Sequence, residues 1–342
     1  MGPMSHAAND LPTSPPTTDL AAAWECNPAR DSKELPERRG LGRMRPTVAT
    51  IIVNYHSVPE IFRCVETVEQ FLHPDYGIVV SNSPDEVTTI WRFVEERPRW
   101  QVVYSGGNVG YGTAVNLAAA SVEASYLAIL NPDIELSDST VRDGIDYLGQ
   151  HQDTGIVGVR LLDADGRVSK SFSLSSRYAD VLRELGPTLT SSIVSRCSRL
   201  LPRHVKVILR HLWAVPRRGS APAGCSHVRE VCAVSGACMV VRASEFAAIG
   251  GFDEDFHLFW EDIDLCWRYR MSGLGVTFLD VGRTVHRGST SMARASRTAR
   301  VAKYHSFRVF TRKYATTWVS KILALPYVVW ARLAEYVARE IA

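Results

Sequence analysis

The sequence lacks three features that would assign its class at once: a paired-cysteine motif, a long apolar run and a strong net charge. Its 7 cysteines form no Cys-x-x-Cys pair, and the odd number favours buried thiols in a reducing compartment over a disulfide framework. No stretch reaches the roughly 18 apolar residues that a spanning helix needs, and the N-terminus has no signal-peptide apolar core. A net charge of +3 offers no overall polycation to nucleic acid. We therefore expect a cytoplasmic, globular protein.

Composition divides the chain into three regions. Residues 1–46 are rich in Pro, Ser, Ala and charge, which predicts a disordered N-terminal tail. Residues 47–291 are expected to form one domain, with a basic insertion at about 177–229. Residues 292–342 are basic and apolar, and their pattern predicts a C-terminal helical extension.

Apolar β-branched runs alternate with helical patterns in the first half of the domain. The predicted strands lie at residues 48–53, 77–80, 101–104 and 126–130. The predicted helices lie at residues 59–72, 87–96 and 112–121. This alternation predicts an α/β fold with a mostly parallel sheet and flanking helices. Ligands of such sheets bind at the carboxyl ends of the strands, where polar or glycine-rich segments follow here.

The second half has a less regular pattern. Val157–Leu162, followed by a turn at Asp165-Gly166, predicts a hairpin. Val231–Val241 reads as one further strand, and Ser244–Ile249 as a short helix. Gly275–Leu279 predicts another strand before a histidine-containing segment.

The first candidate for chemistry is Asn131-Pro132-Asp133, directly after the fourth predicted strand. A carboxylate held by a stiff proline turn at a strand end suits a divalent cation bridged to phosphates. The competing interpretation is a simple turn, and for an isolated Asn-Pro-Asp that interpretation is favoured.

The second candidate is the glycine-rich loop Gly106–Gly112, which follows the third strand and opens a helix. Backbone amides in such a loop can face an anion. The loop is not a dinucleotide fingerprint, because the first strand–helix turn, Asn54–Ser57, carries no glycine. It is not a Walker loop either, since no Gly-Lys-Ser/Thr follows.

The third candidate is Phe252–Leu265, in which acidic residues alternate with large aromatic ones. Carboxylates against apolar surface have a raised pKa, which suits a general base. A helix N-terminus with acidic residues explains Asp264 equally well, but explains Glu261-Asp262 beside Trp260 less well. A fourth candidate, His286, would complete a carboxylate–imidazole metal site if it met Asp133.

Taken in order, these segments resemble the inverting nucleotide-sugar glycosyltransferases of family 2, in particular the rhamnosyltransferase and galactofuranosyltransferase branch. The likeness covers residues 47–291 and rests on Val53-Asn54-Tyr55, Asn108–Gly112, Asn131-Pro132-Asp133, Ser235-Gly236-Ala237, Gly250–Glu254, Trp260–Leu265 and Val285-His286. It implies a single-domain, Rossmann-like fold of the A type, in which residues 47–291 are the catalytic domain.

The resemblance also implies roles for individual residues. Asp262 would be the catalytic base with Glu261 beside it, and Asp133 and His286 would bind Mn²⁺ or Mg²⁺. The residues implied in nucleotide-sugar binding are Asn54, Tyr55, Ser81, Asn82, Asn108, Gly110, Tyr111, Gly112, Asn131 and Trp260. The expected donor is a dTDP- or UDP-sugar, with rhamnose or a similar hexose.

The sequence departs from the family pattern after the second strand. Family members usually carry an Asp-Asn pair there, whose Asp contacts the base of the nucleotide. The corresponding residues here are Ser81-Asn82, and a serine supplies a hydrogen bond but no charge. The departure bears on the identity of the donor more than on the reaction.

Three other classes compete with a glycosyltransferase. A nucleotidyltransferase would carry a Gly-rich Arg/Lys signature after the first strand, and Asn54–Ser57 has none. A non-catalytic nucleotide-sugar-binding protein on the same fold would lack the base, yet Glu261-Asp262 is present. A single-strand nucleic-acid binder would interleave aromatics with its basic residues, and the basic segment offers only Trp213.

Two acid-free stretches suggest a membrane surface. Leu185–Arg229 holds eight basic residues and no acidic one, and Val281–Ala334 again contains no Asp or Glu. The apolar Ile322–Ala331, with Pro326 inside, is too short to span, and lying in an interface or packing in the core are equally open. We expect peripheral attachment to an anionic inner membrane face and a polyprenyl-diphosphate-linked or cell-envelope glycan acceptor. Homo-oligomerisation stays open.

Overall fold

The computed structural model describes residues 46–169, 171–173, 227–288 and 296–316, together with ten helical positions between 318 and 336. Apart from Pro46, the tail predicted at residues 1–46 lies outside the described residues. So does most of the basic insertion predicted at about 177–229.

A central mixed sheet of nine strands organises the described part of the chain. Its strands are β1 (Val48–Asn54), β2 (Tyr76–Ser81), β3 (Trp100–Tyr104), β4 (Tyr126–Leu130), β5 (Ile134–Glu135), β6 (Thr154–Leu162), β8 (Val228–Val231), β10 (Cys238–Arg242) and β11 (Gly275–His286). A second sheet pairs β7 (Phe172–Ser173) with β9 (Ala233–Val234). The main sheet runs β3-β2-β1-β4-β10-β6-β11-β5, and β8 pairs with β11.

The first four strands are parallel, as the sequence predicts. β1 pairs in parallel with β2 and with β4, and β2 pairs in parallel with β3. β10 lies antiparallel to β4 and to β6, so the sheet changes direction at this point. Asn54, Ser81 and Asn131 therefore end or follow adjacent strands at the same edge.

Helices cover both faces of the sheet. They are α1 (Val58–Phe71), α2 (Val87–Glu95), α3 (Tyr111–Ala120), α4 (Thr140–Gln150), α5 (Ala243–Ala248), α6 (Glu261–Met271) and α7 (Ser296–Tyr314). Successive side chains of β1 enter different cores: Ile52 packs with residues of α1 and α4, whereas Ile51 and Val53 pack with residues of α3 and α6. Burial on both faces explains the continuous apolar run that predicted this strand.

Two predictions for the second half are wrong in detail. Val231–Val241 is not one strand. Val231 ends β8 of the main sheet, Ala233-Val234 forms β9 of the second sheet, and the chain returns to the main sheet at Cys238. Val157–Leu162 belongs to β6, which pairs with β10 and β11, and only a single bridge from Leu162 to Val168 closes the predicted hairpin. Both runs are apolar because they are buried, and burial alone does not specify where a strand is interrupted.

A third core joins the C-terminal helical positions to the domain. Phe307 and Phe310 of α7 pack with Trp260 and Trp267, and Ala324 and Ala331 are buried in the same cluster. Leu325 and Val329 are exposed. Packing in the core is therefore found for Ala324 and Ala331, and the place of the segment in a membrane interface stays a prediction. None of the described helices is long and apolar enough to cross a membrane.

The described cysteines are all buried, as expected of structural thiols. They are Cys64, Cys232, Cys238 and Cys266. Burial raises the pKa of Cys238 and of Cys266 to about 12, so neither thiol ionises readily near neutral pH.

Candidate active site

A cavity of about 480 Å³ opens at the carboxyl ends of β1, β2 and β4. The residues that line it come from these strand ends, from the glycine-rich loop and from the segment before α6: Val53, Tyr55, Ser57, Asn82, Asn108, Gly110, Tyr111, Asn131, Pro132, Asp133, Ser235, Gly236, Ala237, His257, Leu258, Phe259, Trp260, Glu261, Asp262, His286, Gly288, Ala299 and Ala302. The cavity thus brings together all four candidates for chemistry.

Strand pairing brings Asp133 and His286 together. β5 begins directly after Asp133 and lies antiparallel to β11, with His286 opposite Ile134. The backbone N–H of Arg287 donates to the carbonyl of Asp133 at 3.1 Å. As a result, Nε2 of His286 lies 3.3 Å from Oδ1 of Asp133, and the Asp133 side chain is only 9% exposed.

This pair fits a divalent cation that is shared with a substrate. Mg²⁺ and Mn²⁺ accept carboxylate and imidazole ligands, and Mg²⁺ sites commonly use one or two carboxylates plus substrate phosphates and waters. Within residues 46–169, 227–288 and the other described positions, no group of three His, Cys, Asp or Glu side chains could hold a metal by itself. Asp133 and His286 supply two ligands, and a donor diphosphate would have to supply others.

The second acidic element is the N-terminus of α6. The carboxylate of Asp262 accepts the backbone N–H of Gly236 on Oδ2 at 2.9 Å, and that of Ile263 on Oδ1 at 2.8 Å. Burial raises the pKa of Asp262, while these backbone hydrogen bonds act in the opposite direction. A Cβ at position 236 would lie 3.0 Å from Cβ of Asp262, so glycine permits this close approach.

Glu261 differs from its neighbour. Glu261 is 7% exposed, and its Oε2 has no hydrogen-bond partner among the described residues. Burial raises the pKa of Glu261 well above its ordinary value, and the nearby Asp262 raises it further. A carboxyl group in this state holds a proton more readily than Asp262, which has fixed backbone donors.

The chain enters α6 through a strained turn. Phe259 and Trp260, both bulky residues, have φ values of 68° and 73°. Such left-handed conformations cost about 1–3 kcal/mol each and persist only where the surroundings impose them. The Trp260 ring packs on Phe307 and Phe310 of α7, with centroids 5.2 and 4.9 Å apart.

A further contact from α7 holds the same turn. The hydroxyl of Ser306 donates to the carbonyl of Leu258 at 2.9 Å. Behind the turn, Asp264 is fully buried and accepts hydrogen bonds from Arg268 at 2.7 Å and from the Tyr314 hydroxyl at 2.7 Å. Lys313 lies 2.7 Å from the same carboxylate. α7 therefore braces the helix that carries Asp262.

The glycine-rich loop contacts the segment before α6 and the backbone of Gly236. Gly110 has a φ of 95°, and a Cβ there would lie 2.6 Å from the carbonyl oxygen of His257. Next to it, the backbone N–H of Tyr111 donates to that carbonyl at 2.9 Å. The Tyr111 hydroxyl donates to the carbonyl of Gly236 at 3.0 Å. Gly236 thus joins the loop to Asp262.

Most of the residues expected to bind the nucleotide sugar line the cavity. Three do not: Asn54, Ser81 and Gly112. Asn54 donates to Glu86 and accepts from the Ser57 backbone, and the Ser81 hydroxyl donates to the Ser83 carbonyl. The polar groups of Asn54 and Ser81 thus form hydrogen bonds within the protein at the strand ends. The roles of Asn54, Ser81 and Gly112 in binding stay predictions.

The sequence did not predict some of the residues that line the cavity. His257 lines the cavity, and burial, followed by the charge of His305, lowers its pKa. Ala299 and Ala302 of α7 also line it. The sequence signals were weak: a histidine inside the acidic–aromatic segment, and two small residues three apart in a basic helix.

Comparison with known proteins agrees with this geometry. Residues 49–209 match the family model "Glycosyl transferase family 2". This segment of the chain is similar to the family 2 glycosyltransferases. The resemblance seen in the motifs is confirmed, and so are the glycosyltransferase class and the fold.

Two relatives of the chain are named rhamnosyltransferases. An N-acetylglucosaminyl-diphospho-decaprenol L-rhamnosyltransferase of Mycobacterium tuberculosis is 21% identical over 286 residues, which cover 80% of this chain and 87% of that protein. Rhamnosyltransferase WbbL of Escherichia coli is 24% identical over 196 residues, covering 53% of this chain and 62% of the relative.

A solved structure shares the fold. The mannosyltransferase PcManGT from Pyrobaculum calidifontis, determined in complex with GDP-Man and Mn²⁺, superposes with a TM-score of 0.52 at 15% identity. The superposition covers 87% of this chain and 76% of the mannosyltransferase. At this identity the likeness supports the architecture of the sheet and its helices.

Proposed function

We propose that this family 2 glycosyltransferase moves a hexose, with rhamnose as the first candidate, from a nucleotide-diphosphate donor to a lipid-linked acceptor with inversion of configuration. The observation that carries the proposal is the cavity itself. A carboxylate fixed by two backbone amides, Asp262, shares the cavity with the Asp133–His286 pair. One group suits a proton acceptor and the other suits a cation that binds phosphate.

Asp133 and His286 are the residues that would hold the divalent cation. When bound, Mn²⁺ or Mg²⁺ offsets the negative charge that develops on a leaving nucleoside diphosphate. The two side chains come from different strands that are hydrogen-bonded to each other, so their separation is fixed by the sheet. The mannosyltransferase of similar fold was determined with Mn²⁺, which supports a role for a divalent ion here.

Asp262 is the proposed base. It takes the proton from an acceptor hydroxyl, whose oxygen attacks the anomeric carbon from the face opposite the nucleotide. The backbone donors at Gly236 and Ile263 hold the carboxylate in one orientation and favour its ionised form. A single displacement of this kind inverts the configuration and needs no covalent sugar–enzyme intermediate.

The proposed acceptor is a polyprenyl-diphosphate-linked sugar presented at an anionic membrane surface. Three observations support it: the decaprenol-linked substrate in the name of the Mycobacterium tuberculosis relative, the acid-free stretch from Val281 to Ala334, and the α7 residues Ala299 and Ala302 in the cavity wall. A basic surface would favour anionic lipid. The proposed place of action is therefore the inner face of the cell membrane.

The decisive experiment measures nucleotide release. Purified protein is incubated with Mn²⁺ or Mg²⁺, a panel of dTDP-, UDP- and GDP-sugars, and a short-chain polyprenyl-diphosphate-linked GlcNAc. We expect release with one donor, dependent on the acceptor and abolished by excess EDTA. Full activity in EDTA would refute the metal site, and failure with every donor and this acceptor would refute the proposed substrates.

The product identifies the stereochemistry. NMR of the new glycosidic bond should show the anomeric configuration opposite to that of the donor. A product with retained configuration would exclude the single displacement at Asp262.

A further inference from the structure

A second cleft, of about 450 Å³, lies between α7 and the C-terminal helical positions. It is separate from the catalytic cavity, since the two share no lining residue. The lining residues are His305, Arg308, Val309, Thr311, Arg312, Ala315, Lys321, Ala324, Leu325, Val328 and Arg332. This set contains both cationic and apolar side chains, and no described Asp or Glu is part of it.

The positive charge of the cleft is only partly neutralised. Arg308 lies 2.5 Å from the Glu335 carboxylate, and Arg312 lies 3.9 Å from the exposed Asp255. Lys321 and Arg332 are both exposed, and neither forms an ion pair with any acidic residue in the described part of the chain. These two cations are available for an external anion.

An exposed apolar stripe runs beside the cleft. Trp318, Leu325, Val329 and Tyr336 are 74%, 59%, 49% and 64% exposed. All four are helical positions, and their spacings of seven, four and seven residues are those of residues that share one side of a helix. Aromatic residues at both ends with aliphatic ones between them are typical of a helix at a membrane–water interface.

The basic residues lie beside the apolar stripe in helical spacing. Lys321 follows Trp318 by three residues, and Arg332 follows Val329 by three. Both cations therefore lie along one edge of the stripe, towards the buried side that packs on α7. An anionic phospholipid offers the complementary arrangement, with acyl chains for the stripe and a phosphate for the cations.

From this arrangement we propose that the cleft and its stripe form a binding site for the headgroup of an anionic phospholipid in a bilayer. The inference rests on the proposed function in placing the acceptor at a membrane. It adds which residues bind the lipid: Lys321 and Arg332 bind the phosphate, and Trp318 and Leu325 enter the interface.

A second copy of the chain fits this surface less well. A symmetric dimer would place the same patch against itself. Lys321 and Arg332 would then approach their own counterparts without a described acidic residue to separate them, which is unfavourable. The bilayer carries the opposite charge and is the better complement.

The site has a consequence for catalysis through α7. Ala302 lines the catalytic cavity, and Arg308 lines the lipid cleft six residues later. Six residues of helix advance by about 9 Å. A headgroup in the cleft would therefore hold the cavity close to the bilayer that contains a lipid-linked acceptor.

Vesicle co-sedimentation of the full chain tests the site. The vesicles contain equal parts of phosphatidylglycerol and phosphatidylcholine, or phosphatidylcholine alone. We expect Lys321→Glu/Arg332→Glu to lower partitioning onto the anionic vesicles at least about 20-fold, since each basic residue contributes about fivefold at low salt. Arg92→Glu/Arg99→Glu, the matched control, changes the same charge at two exposed arginines elsewhere and should alter partitioning by less than about threefold.

A second variant separates the apolar contribution. Trp318→Ala should lower partitioning about tenfold or more, and this loss should persist at high salt because it arises from apolar burial. Equal losses in Lys321→Glu/Arg332→Glu and in the control would overturn the proposal, and so would failure of the wild-type chain to bind anionic vesicles. A dimer that the double variant dissociates, with unchanged vesicle binding, would assign the surface to a second copy instead.

Activity in solution keeps this proposal distinct from the proposed function. Lys321→Glu/Arg332→Glu should release nucleotide at the wild-type rate with a short-chain acceptor in the absence of vesicles. Vesicle binding without nucleotide release in any variant would refute the proposed reaction and leave the lipid site standing. Loss of solution activity in the double variant would show that these residues act elsewhere than at a membrane.

Discussion

The two acidic elements of the catalytic cavity are built in different ways. Asp133 and His286 are placed by β5 and β11, two strands that are hydrogen-bonded to each other. Asp262 is placed by a helix that follows a strained turn, and α7 holds that turn from behind. The metal-binding side is therefore determined by backbone pairing, and the base side by side-chain packing. Changes in the two regions should have different effects.

The largest effect should come from the base itself. Asp262→Asn should lower turnover by about 10²–10⁴-fold, because an amide cannot take the proton from the acceptor hydroxyl. Donor affinity should change little, since the side chain keeps its shape and the amide oxygen still accepts one of the two backbone N–H groups. Steady-state turnover and calorimetric donor binding measure the two quantities. Near-normal turnover would remove Asp262 as the base, and Glu261→Gln would then be expected to show the loss.

A smaller loss is expected on the metal-binding side. Asp133→Ala should lower turnover by about 10²–10³-fold, since a bound cation supplies several kcal/mol of transition-state stabilisation. Unlike Asp262→Asn, it should also weaken donor binding and raise the Mn²⁺ concentration needed for half-maximal activity. An unaltered metal dependence would contradict the assignment. Comparing Asp262→Asn with Asp133→Ala therefore separates loss of the chemical step from loss of metal and donor binding.

The sequence predicted these two sides unequally. Asn131-Pro132-Asp133 follows a buried strand, and ends of parallel strands meet at one edge, so its place could be predicted. The acidic pair was also recognisable. The left-handed turn at Phe259-Trp260 was not, because α7, more than 35 residues later, imposes it through tertiary contacts.

The interruption at Ser235-Gly236 escaped prediction for a similar reason. Apolar residues on both sides give the pattern of one long strand. Ser235-Gly236 instead separates β9 of the second sheet from β10 of the main sheet, and the backbone at Gly236 contacts Asp262 and Tyr111, two residues far away in sequence. Local patterns identify which segments are buried, whereas long-range hydrogen bonds decide where a strand stops.

The brace behind the base side offers a third test. Tyr314→Phe removes the hydroxyl that donates to Asp264 at 2.7 Å, and should lower the free energy of unfolding by about 1–3 kcal/mol. Tyr336→Phe is the matched control, because that side chain is 64% exposed, and it should have no measurable effect. Urea denaturation measures both. Equal stability of the two variants would show that Tyr314 does not brace α6.

The same variant should affect the two sides of the cavity differently. Tyr314→Phe should lower turnover by a few-fold through the orientation of Asp262, whereas the Mn²⁺ dependence should match the wild type. A shift in metal dependence would show that the bracing extends to Asp133, and the contrast between the two sides would fail.

The smallest expected effect is a pH dependence of stability that originates at Glu261. Burial raises the pKa of its carboxyl group, so the folded protein keeps this proton at pH values at which the unfolded chain has released it. Unfolding then releases a proton, and stability falls as the pH rises from the usual pKa of glutamate towards the raised value.

Glu261→Gln removes this titration and should make the free energy of unfolding higher near neutral pH, by on the order of 1 kcal/mol. Below the usual pKa of glutamate, where both states are protonated, the variant and the wild type should converge. Denaturant titrations from mildly acidic to neutral pH would show the difference, with Glu254→Gln as the control on an exposed carboxylate. Parallel stability curves for wild type and Glu261→Gln across this range would mean that Glu261 is ionised in the folded protein, which would make it a competitor to Asp262 as the base.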